Sequence, residues 1–414
     1  MKKTIFLAGL AVFYLSNLVA QNGEPFLVGA SSATISPKPG AYIAGGDQNR
    51  KFTRVHDNLF VKAVVISSAT TSIAIFTVDC IGMLYPQLQQ VRELVGKTLP
   101  GFPVEHIIMS STHTHSGPDV VGIWGPDPMH SGVDSLYLRE FVTTAAAQIV
   151  KAYKNRKSAW ALYANTVHGQ GWVENISQPA EVDRSVTILQ FTNRVGKNIV
   201  TLTNFACHPT ILDGSSGEVS ADYVAGFYES LDKRLGGTNM FLQGAIGGWV
   251  QPEHVPKTMT AAYERGYGLA NAVLAALKNP QSMETRTLGF KHRLVSLPVA
   301  NPGFRKLSES NVIQRKITDS VVTEIALFNI GEARFATHPG ETVPAMGLAT
   351  KLFLKTDGPK FVLGLSMDAL GYILKPEFFN PAAKIPHSEY LCSMSIGPMT
   401  GEIIMGTIEA MARE

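Results

Sequence analysis

The stretch "SSTHTHSGPD", residues 110–119, sets His113 and His115 two positions apart at the end of an apolar run and follows them with Gly117 and Pro118. Imidazole is the commonest metal ligand and the side chain that titrates nearest neutral pH. Read as the end of an extended strand, alternate side chains point the same way, which predicts both rings on one face with Cα atoms roughly 7 Å apart. One ion could then be reached by both rings, or one ring could hold it while the other meets a substrate. The same pair is equally compatible with two satisfied polar residues where a strand turns into a loop. Two more candidates follow β-rich runs: His208 in "NFACHPT" and Glu341 in "THPGE". Imidazole and carboxylate suit zinc, whose catalytic sites leave one position open to water. Ordinary turns with solvated side chains explain the two residues as well.

The elements that must position these residues follow a layout that occurs three times: two β-rich runs, a polar turn, a helical stretch, then a further β-rich run. The first copy reads "LFVKAVVI", "SIAIFTVD", "YPQLQQVRELVG" and "HIIMSST". The second reads "SVTILQF", "NIVTLTNFACHP", "YVAGFYESLDKRLG" and "MFLQGAIGG"; the third reads "TEIALFNI", "ARFATHPGE", "PAMGLATKLFLK" and "FVLGLSMDALGY". The expected fold class is α/β, with mixed β-sheets flanked by helices. In such folds ligands collect at the carboxyl ends of strands, where loops converge and helix N-termini offer free N–H groups. Asp79, His113 and His115 fall there in the first copy, His208 in the second, and His338, Glu341, Asp368 and Tyr372 in the third, which predicts one composite site. Irregular stretches at 116–135 and 168–184 are long enough to shape a pocket, and Trp124 in "GIWGPDP" is a candidate for its wall.

Composition limits the class of protein. The 414 residues are 45% hydrophobic and 17% charged, which fits a deep globular core and argues against long disordered regions. No linker divides the chain, so a single domain over 21–414 is expected. Residues 1–20, "MKKTIFLAGLAVFYLSNLVA", have the basic start, short apolar core and terminal small residue of a secretory signal peptide, predicting an exported, periplasmic or secreted protein. The formal charge of +3 drops to about +1 without Lys2 and Lys3, and no basic arm suggests nucleic acid. Cys80, Cys207 and Cys392 make no disulfide framework and read as buried small hydrophobes.

Taken together and in order, "MSSTHTHSGP", "TNFACHPT", "THPGE" and "DALGYILKPEFF" resemble the catalytic domain of the neutral, non-lysosomal ceramidases. "GASSATISP" and "RVHDNLFVKAVVI" are similar to that family's opening segments, so the resemblance runs from about Val28 to the C-terminus. The expected organisation is the catalytic domain alone, without the family's C-terminal immunoglobulin-like domain. The resemblance implies a zinc amidase in which His113, His208, Glu341 and Tyr372 bind Zn2+ and zinc-activated water attacks the amide of an N-acylated sphingolipid or related compound. It further implies that His115 faces the scissile carbonyl, with Tyr390 of "HSEYLC" beside the carbonyl oxygen, and that either could stabilise the developing oxyanion. Asp79 would orient a ligand or simply accept hydrogen bonds at a strand end. The expected partner is a small-molecule or lipid amide, with peripheral membrane contact and no nucleic acid.

Three segments depart from the family pattern. "GDVSPN", which carries a serine, stands here as "GAIGGWVQPEH", with Gln251 near the serine's place; "NRSP" is replaced by "ENISQP", and "YEGG" by "YLCS". Metal binding is thus better preserved than substrate recognition. A zinc hydrolase acting on a different amide or ester, such as a cell-wall or sugar derivative, and a metal-containing binding protein without turnover both remain open, because function rests on the site and not on the fold.

Overall fold

The computed structural model describes residues 25–414, so the leader expected over residues 1–20 lies outside the described residues. The first part of the chain forms β1 (Phe26–Thr34), the two-residue β2 (Arg54–Val55), β3 (Phe60–Ser67), β4 (Ser72–Val78), α1 (Tyr85–Thr98), β5 (Ile107–Ser111), α2 (Ser135–Lys154) and β6 (Lys157–Val167). The middle part forms β7 (Val173–Asn175), β8 (Ser185–Thr192), β9 (Asn198–Phe205), β10 (Glu218–Val219), α3 (Tyr223–Arg234), β11 (Thr238–Gln243), β12 (Val250–Pro252), α4 (Met259–Ala276) and β13 (Gln281–Ser282). The last part forms β14 (Leu288–Pro298), α5 (Pro302–Glu309), β15 (Ser320–Ile330), β16 (Ala333–Thr337), β17 (Glu341–Thr342), α6 (Pro344–Phe353), β18 (Lys360–Leu363), β19 (Tyr372–Ile373), α7 (Ser388–Ser393) and α8 (Thr400–Arg413).

The threefold layout read from the sequence is present in the backbone. In each copy an antiparallel pair (β3/β4, β8/β9, β15/β16) leads through a helix to a strand parallel to its second member (β5, β11, β18). The first two copies share one sheet of order β11-β9-β8-β6-β1-β3-β4-β5, with β13 added on β6. That sheet doubles back so that β9 and β11 meet β1, β4 and β5, while α1 and α2 cover one half and α3 and α4 the other. Its inner strands are therefore buried on both faces, which is why "VKAVVIS" and "SIAIFTV" are nearly unbroken apolar runs instead of alternating ones. The third copy makes a separate four-stranded sheet, β14-β15-β16-β18, packed on α6 and α8.

Helix starts are set by side chains that satisfy the first free N–H groups. Asp134 accepts from Leu136 and Tyr137 to begin α2, Thr258 accepts from Ala261 to begin α4, and Asp222 accepts from Tyr223 to begin α3. Asp222 is wholly buried, and burial pushes its carboxyl up to about 7 against the N–H groups of Leu212 and Tyr223 that favour the charged form.

The third sheet is tied to the first by buried ions. Arg92 of α1 donates to Glu324 of β15 at 2.5 and 3.0 Å, and Tyr85 and His292 fill the carboxylate's remaining positions. Arg315 pairs with Asp368 at 2.5 Å, and Thr323 donates to the same carboxylate at 2.7 Å.

Removing one partner of such a pair strands a charge in the core. Arg92→Met should cost about 3–5 kcal/mol in denaturant unfolding, and the double change Arg92→Met with Glu324→Met should recover much of the loss. Asp222 gives a pH signature. Its pKa is higher folded than unfolded, so stability should fall as pH rises from about 4 to about 7, at no more than about 1.4 kcal/mol per pH unit. Asp222→Asn should flatten that part of the curve in urea titrations at fixed pH values.

Candidate metal centre

The strand ends converge because the chain after β18 runs into the gap between β5 and β11. Asn204 donates to the Leu242 and Val362 carbonyls, Gly364 N–H donates to Gln243 O, and Ser111 N–H donates to Leu365 O. The Ser366 hydroxyl donates to Met109 O, and the Gln243 amide reaches the carbonyls of Thr112 and Cys207. The loops that follow β5, β9 and β16 are thereby held on one spot.

His113 and His115 do not sit on an extended strand. β5 ends at Ser111, and His113 turns into the left-handed region with φ +69° because its N–H is drawn to Cys80 O at 2.9 Å. The rings still meet, with Nε2 atoms 3.3 Å apart, through this turn and not through strand alternation. His208 enters from the loop after β9, and the Nδ1 and Nε2 positions of these three residues define a group that can hold a metal ion, with ligand atoms within 4.8 Å of one another. Glu341 closes the group: its Oε2 lies 3.1 Å from His208 Nε2 and 3.5 Å from His113 Nε2. Glu341 and Tyr372 are partners in the two-residue parallel ladder of β17 and β19, so the carboxylate and the buried phenol hydroxyl come together directly.

Each imidazole is oriented by its other nitrogen. His113 Nδ1 lies 2.5 Å from Ile81 O, His208 Nδ1 2.8 Å from Val250 O, and His115 Nδ1 3.1 Å from an Asp213 oxygen. Carbonyl and carboxylate oxygens only accept, so the proton belongs on Nδ1 and each Nε2 presents a lone pair. Ligating histidines are usually held in this way. Lone pairs and a carboxylate facing one another in a buried space repel unless a cation lies among them. The Glu341 spacings to His208 and His113, 3.1 and 3.5 Å, match the edges of a tetrahedron with bonds of about 2.0–2.2 Å. The donor set fits a divalent ion.

The electrostatics agree. Burial pushes His115 down to about 4, and His113 and His208 add to the effect, so its ring is neutral at neutral pH even with Asp213 opposing. Burial and then the Glu341 charge push the Tyr372 hydroxyl well above its ordinary value.

His113, Glu341 and Tyr372 form part of the wall of a cavity of ≈ 370 Å³ whose other walls are largely apolar, including Ile81, Ile123, Trp124, Phe304 and Leu370. His115 and Tyr390 both line it, and Tyr390 is 50% exposed at its mouth. The irregular stretch 116–135 supplies lining residues, as its composition suggested. The other stretch, 168–184, acts at one remove: β7 pairs with β12 and so fixes Val250, whose carbonyl holds His208.

Three residues expected in the composite site stand apart from it. Asp79 accepts from Phe60 N–H and the Tyr228 hydroxyl, a strand-end role. His338 is held in the core between the hydroxyls of Thr342 and Thr350, and Asp368 is taken up by Arg315. Of the cysteines, Cys80 and Cys207 are buried as expected, whereas Cys392 is only partly so. Sequence reading missed Asp213, which lies in an ordinary-looking turn, and Trp249, whose indole N–H donates to the Tyr372 hydroxyl at 2.8 Å.

Two solved structures share this architecture. The crystal structure of neutral ceramidase from Pseudomonas aeruginosa superposes with a TM-score of 0.77 at 15% identity, over 94% of this chain and 74% of the other. The fold is that of the neutral ceramidases. A ceramidase structure complexed with C2 agrees, with a TM-score of 0.78 at 15% identity over 94% of this chain and 75% of that one. Neutral ceramidase A of Dictyostelium discoideum is 25% identical over 157 residues, 33% of this chain. The chain spans about a fifth of the length of that curated relative, 21%. No family model matches the sequence. The ceramidase resemblance read from the histidine and glutamate motifs is thus borne out at the level of the fold.

Proposed function

We propose that the protein is an exported zinc-dependent amidohydrolase of the ceramidase type that cleaves the amide bond of an N-acylated lipid. The observation that carries this reading is the meeting of His113, His208, Glu341 and Tyr372, of which His113, Glu341 and Tyr372 line a largely apolar cavity. Zinc held by those four residues would polarise the scissile carbonyl and bring the pKa of water down to about 7. The chain's own groups do the rest. The apolar walls take the acyl chain and exclude water from it. His115, with its proton held on Nδ1 by Asp213, has a free lone pair on Nε2 and accepts a proton from the attacking water. It returns that proton to the nitrogen as the carbon–nitrogen bond breaks. His115 is thus an acceptor, and Tyr390 is left as the side chain that donates to the carbonyl oxygen.

A second reading, hydrolysis of a different amide or an ester, is favoured by one feature. Gln251, near the place of the family serine, is engaged with Glu253 at 2.6 Å. The three segments that depart from the family pattern also lie together: Ile176 N–H donates to Trp249 O at 3.1 Å, and the rings of Trp249 and Tyr390 are 5.4 Å apart. One side of the mouth is therefore rebuilt.

Purified protein should release fatty acid from an N-acyl sphingolipid, lose that activity on chelation and regain it with zinc. A zinc-loaded protein inert toward such lipids but active on other amides or esters would move the assignment to the second reading. His113→Ala should weaken zinc binding by at least about tenfold, whereas His115→Ala should retain zinc and lose turnover by about 10²–10⁴-fold. Equal loss of metal in both variants, measured by metal analysis after dialysis, would make His115 a ligand.

A further inference from the structure

The segment that departs most from the ceramidase pattern is the one that braces the proposed ligands. Gly247 N–H donates to Thr342 O at 2.8 Å, beside Glu341, and a Cβ at Gly247 would lie 2.3 Å from Glu341 O. Val250 O receives both the His208 N–H and its Nδ1 hydrogen, each at 2.8 Å. Between them stands Trp249, whose backbone is left-handed with φ +63°, a conformation costly for a bulky side chain and found where surrounding structure imposes it. His387 is left-handed as well, φ +58°, and its ring lies 4.5 Å from the Trp249 ring. The strained backbone aims the half-buried indole inward, where its N–H meets the Tyr372 hydroxyl at 2.8 Å.

An indole nitrogen donates and never accepts. With the phenol oxygen receiving from Trp249, the Tyr372 O–H is left to turn toward Glu341, its ladder partner, and the phenol group is fixed toward the imidazoles. Tyr372 is also boxed in on the backbone side, because its N–H donates to Met394 O at 3.0 Å and a Cβ on the preceding Gly371 would lie 2.1 Å from the same carbonyl. The indole N–H is thus the polar contact that sets the hydroxyl end of a side chain otherwise held by packing.

We propose that Trp249 is a positioning residue for Tyr372: its indole N–H orients the phenol oxygen for metal ligation, a role supplied in this chain by the segment that has lost the family serine. This rests on the ligand set proposed above. The role requires the N–H and not merely the ring, which distinguishes it from packing.

The test is zinc affinity of the full chain, measured by competition with a chromophoric chelator, for Trp249→Phe, Tyr372→Phe and the double variant. Trp249→Phe should weaken zinc binding about 10- to 100-fold, the range for lost outer partners of a ligand. In the Tyr372→Phe background the same change should add nothing, because the group through which Trp249 acts is gone. Incorporation of benzothienylalanine at position 249, which keeps the ring shape and lacks the N–H, should reproduce the Trp249→Phe loss with an unchanged urea midpoint. Wild-type affinity in that protein, multiplicative losses in the double variant, or an unaltered chain that binds no zinc would overturn the assignment. Absence of lipid-amide hydrolysis with these affinities as expected removes the lipid reading and leaves the role of Trp249 in place.

Discussion

The hydrogen bonds from imidazole Nδ1 to fixed oxygens are the constraint on which the site depends. His113 and His208 spend their protons on main-chain carbonyls, and His115 spends its own on Asp213. Three lone pairs are thereby turned inward beside a buried carboxylate. Without those acceptors each ring could flip its tautomer or rotate, and the like-polarity contacts at 3.1–3.5 Å would relax apart. The arrangement is costly by itself and becomes favourable around a cation. That asymmetry is what a binding site for a metal requires, since binding energy is gained where the empty site is least content.

The scaffold provides the acceptors by locking strand ends to one another. Ile81 lies just past β4, Val250 opens β12, and the chain beyond β18 plugs the space between β5 and β11 through Asn204, Gln243 and Ser366. Most of these ties are main-chain hydrogen bonds or side-chain bonds to main chain, so they fix the backbone and not just the side chains. The buried Arg92–Glu324 pair ties the third sheet to α1, and Asp368, held by Arg315, accepts from the Tyr85 N–H at the start of the same helix. Rigid support of this kind limits ligand atoms to displacements small enough for coordination.

The same supports leave the side chains around the cluster free to vary without moving it. The carbonyl of Val250 needs only a backbone in the right place, and many side chains can stand around it. In the segment "GGWVQP" the Val250 carbonyl holds His208, the Trp249 indole N–H donates to Tyr372, and Gln251 is turned toward Glu253.

Periodicity and motif order in the sequence determined the threefold strand–helix–strand layout, the helix-flanked mixed sheets, and the identity of His113, His115, His208, Glu341 and Tyr372 as residues placed at strand ends. Those features are local: apolar runs of strand length, Pro and Gly in the following turn, and polar side chains between them are visible within ten or twenty residues. The extended geometry expected for His113 failed because its backbone obeys a hydrogen bond to Cys80, thirty-odd positions earlier. Asp79, His338 and Asp368 carried the same local signature as the site residues; distant partners, Tyr228 and Arg315, separate Asp79 and Asp368 from it, and the nearby hydroxyls of Thr342 and Thr350 hold His338 in the core. The tertiary structure alone decided which strand ends meet, which nitrogen of each ring is free, and that an indole reaches Tyr372 across 123 positions. Such contacts join residues that no sequence window contains, and the hydrogen-bonding partner, more than the residue type, decides what a buried polar side chain does.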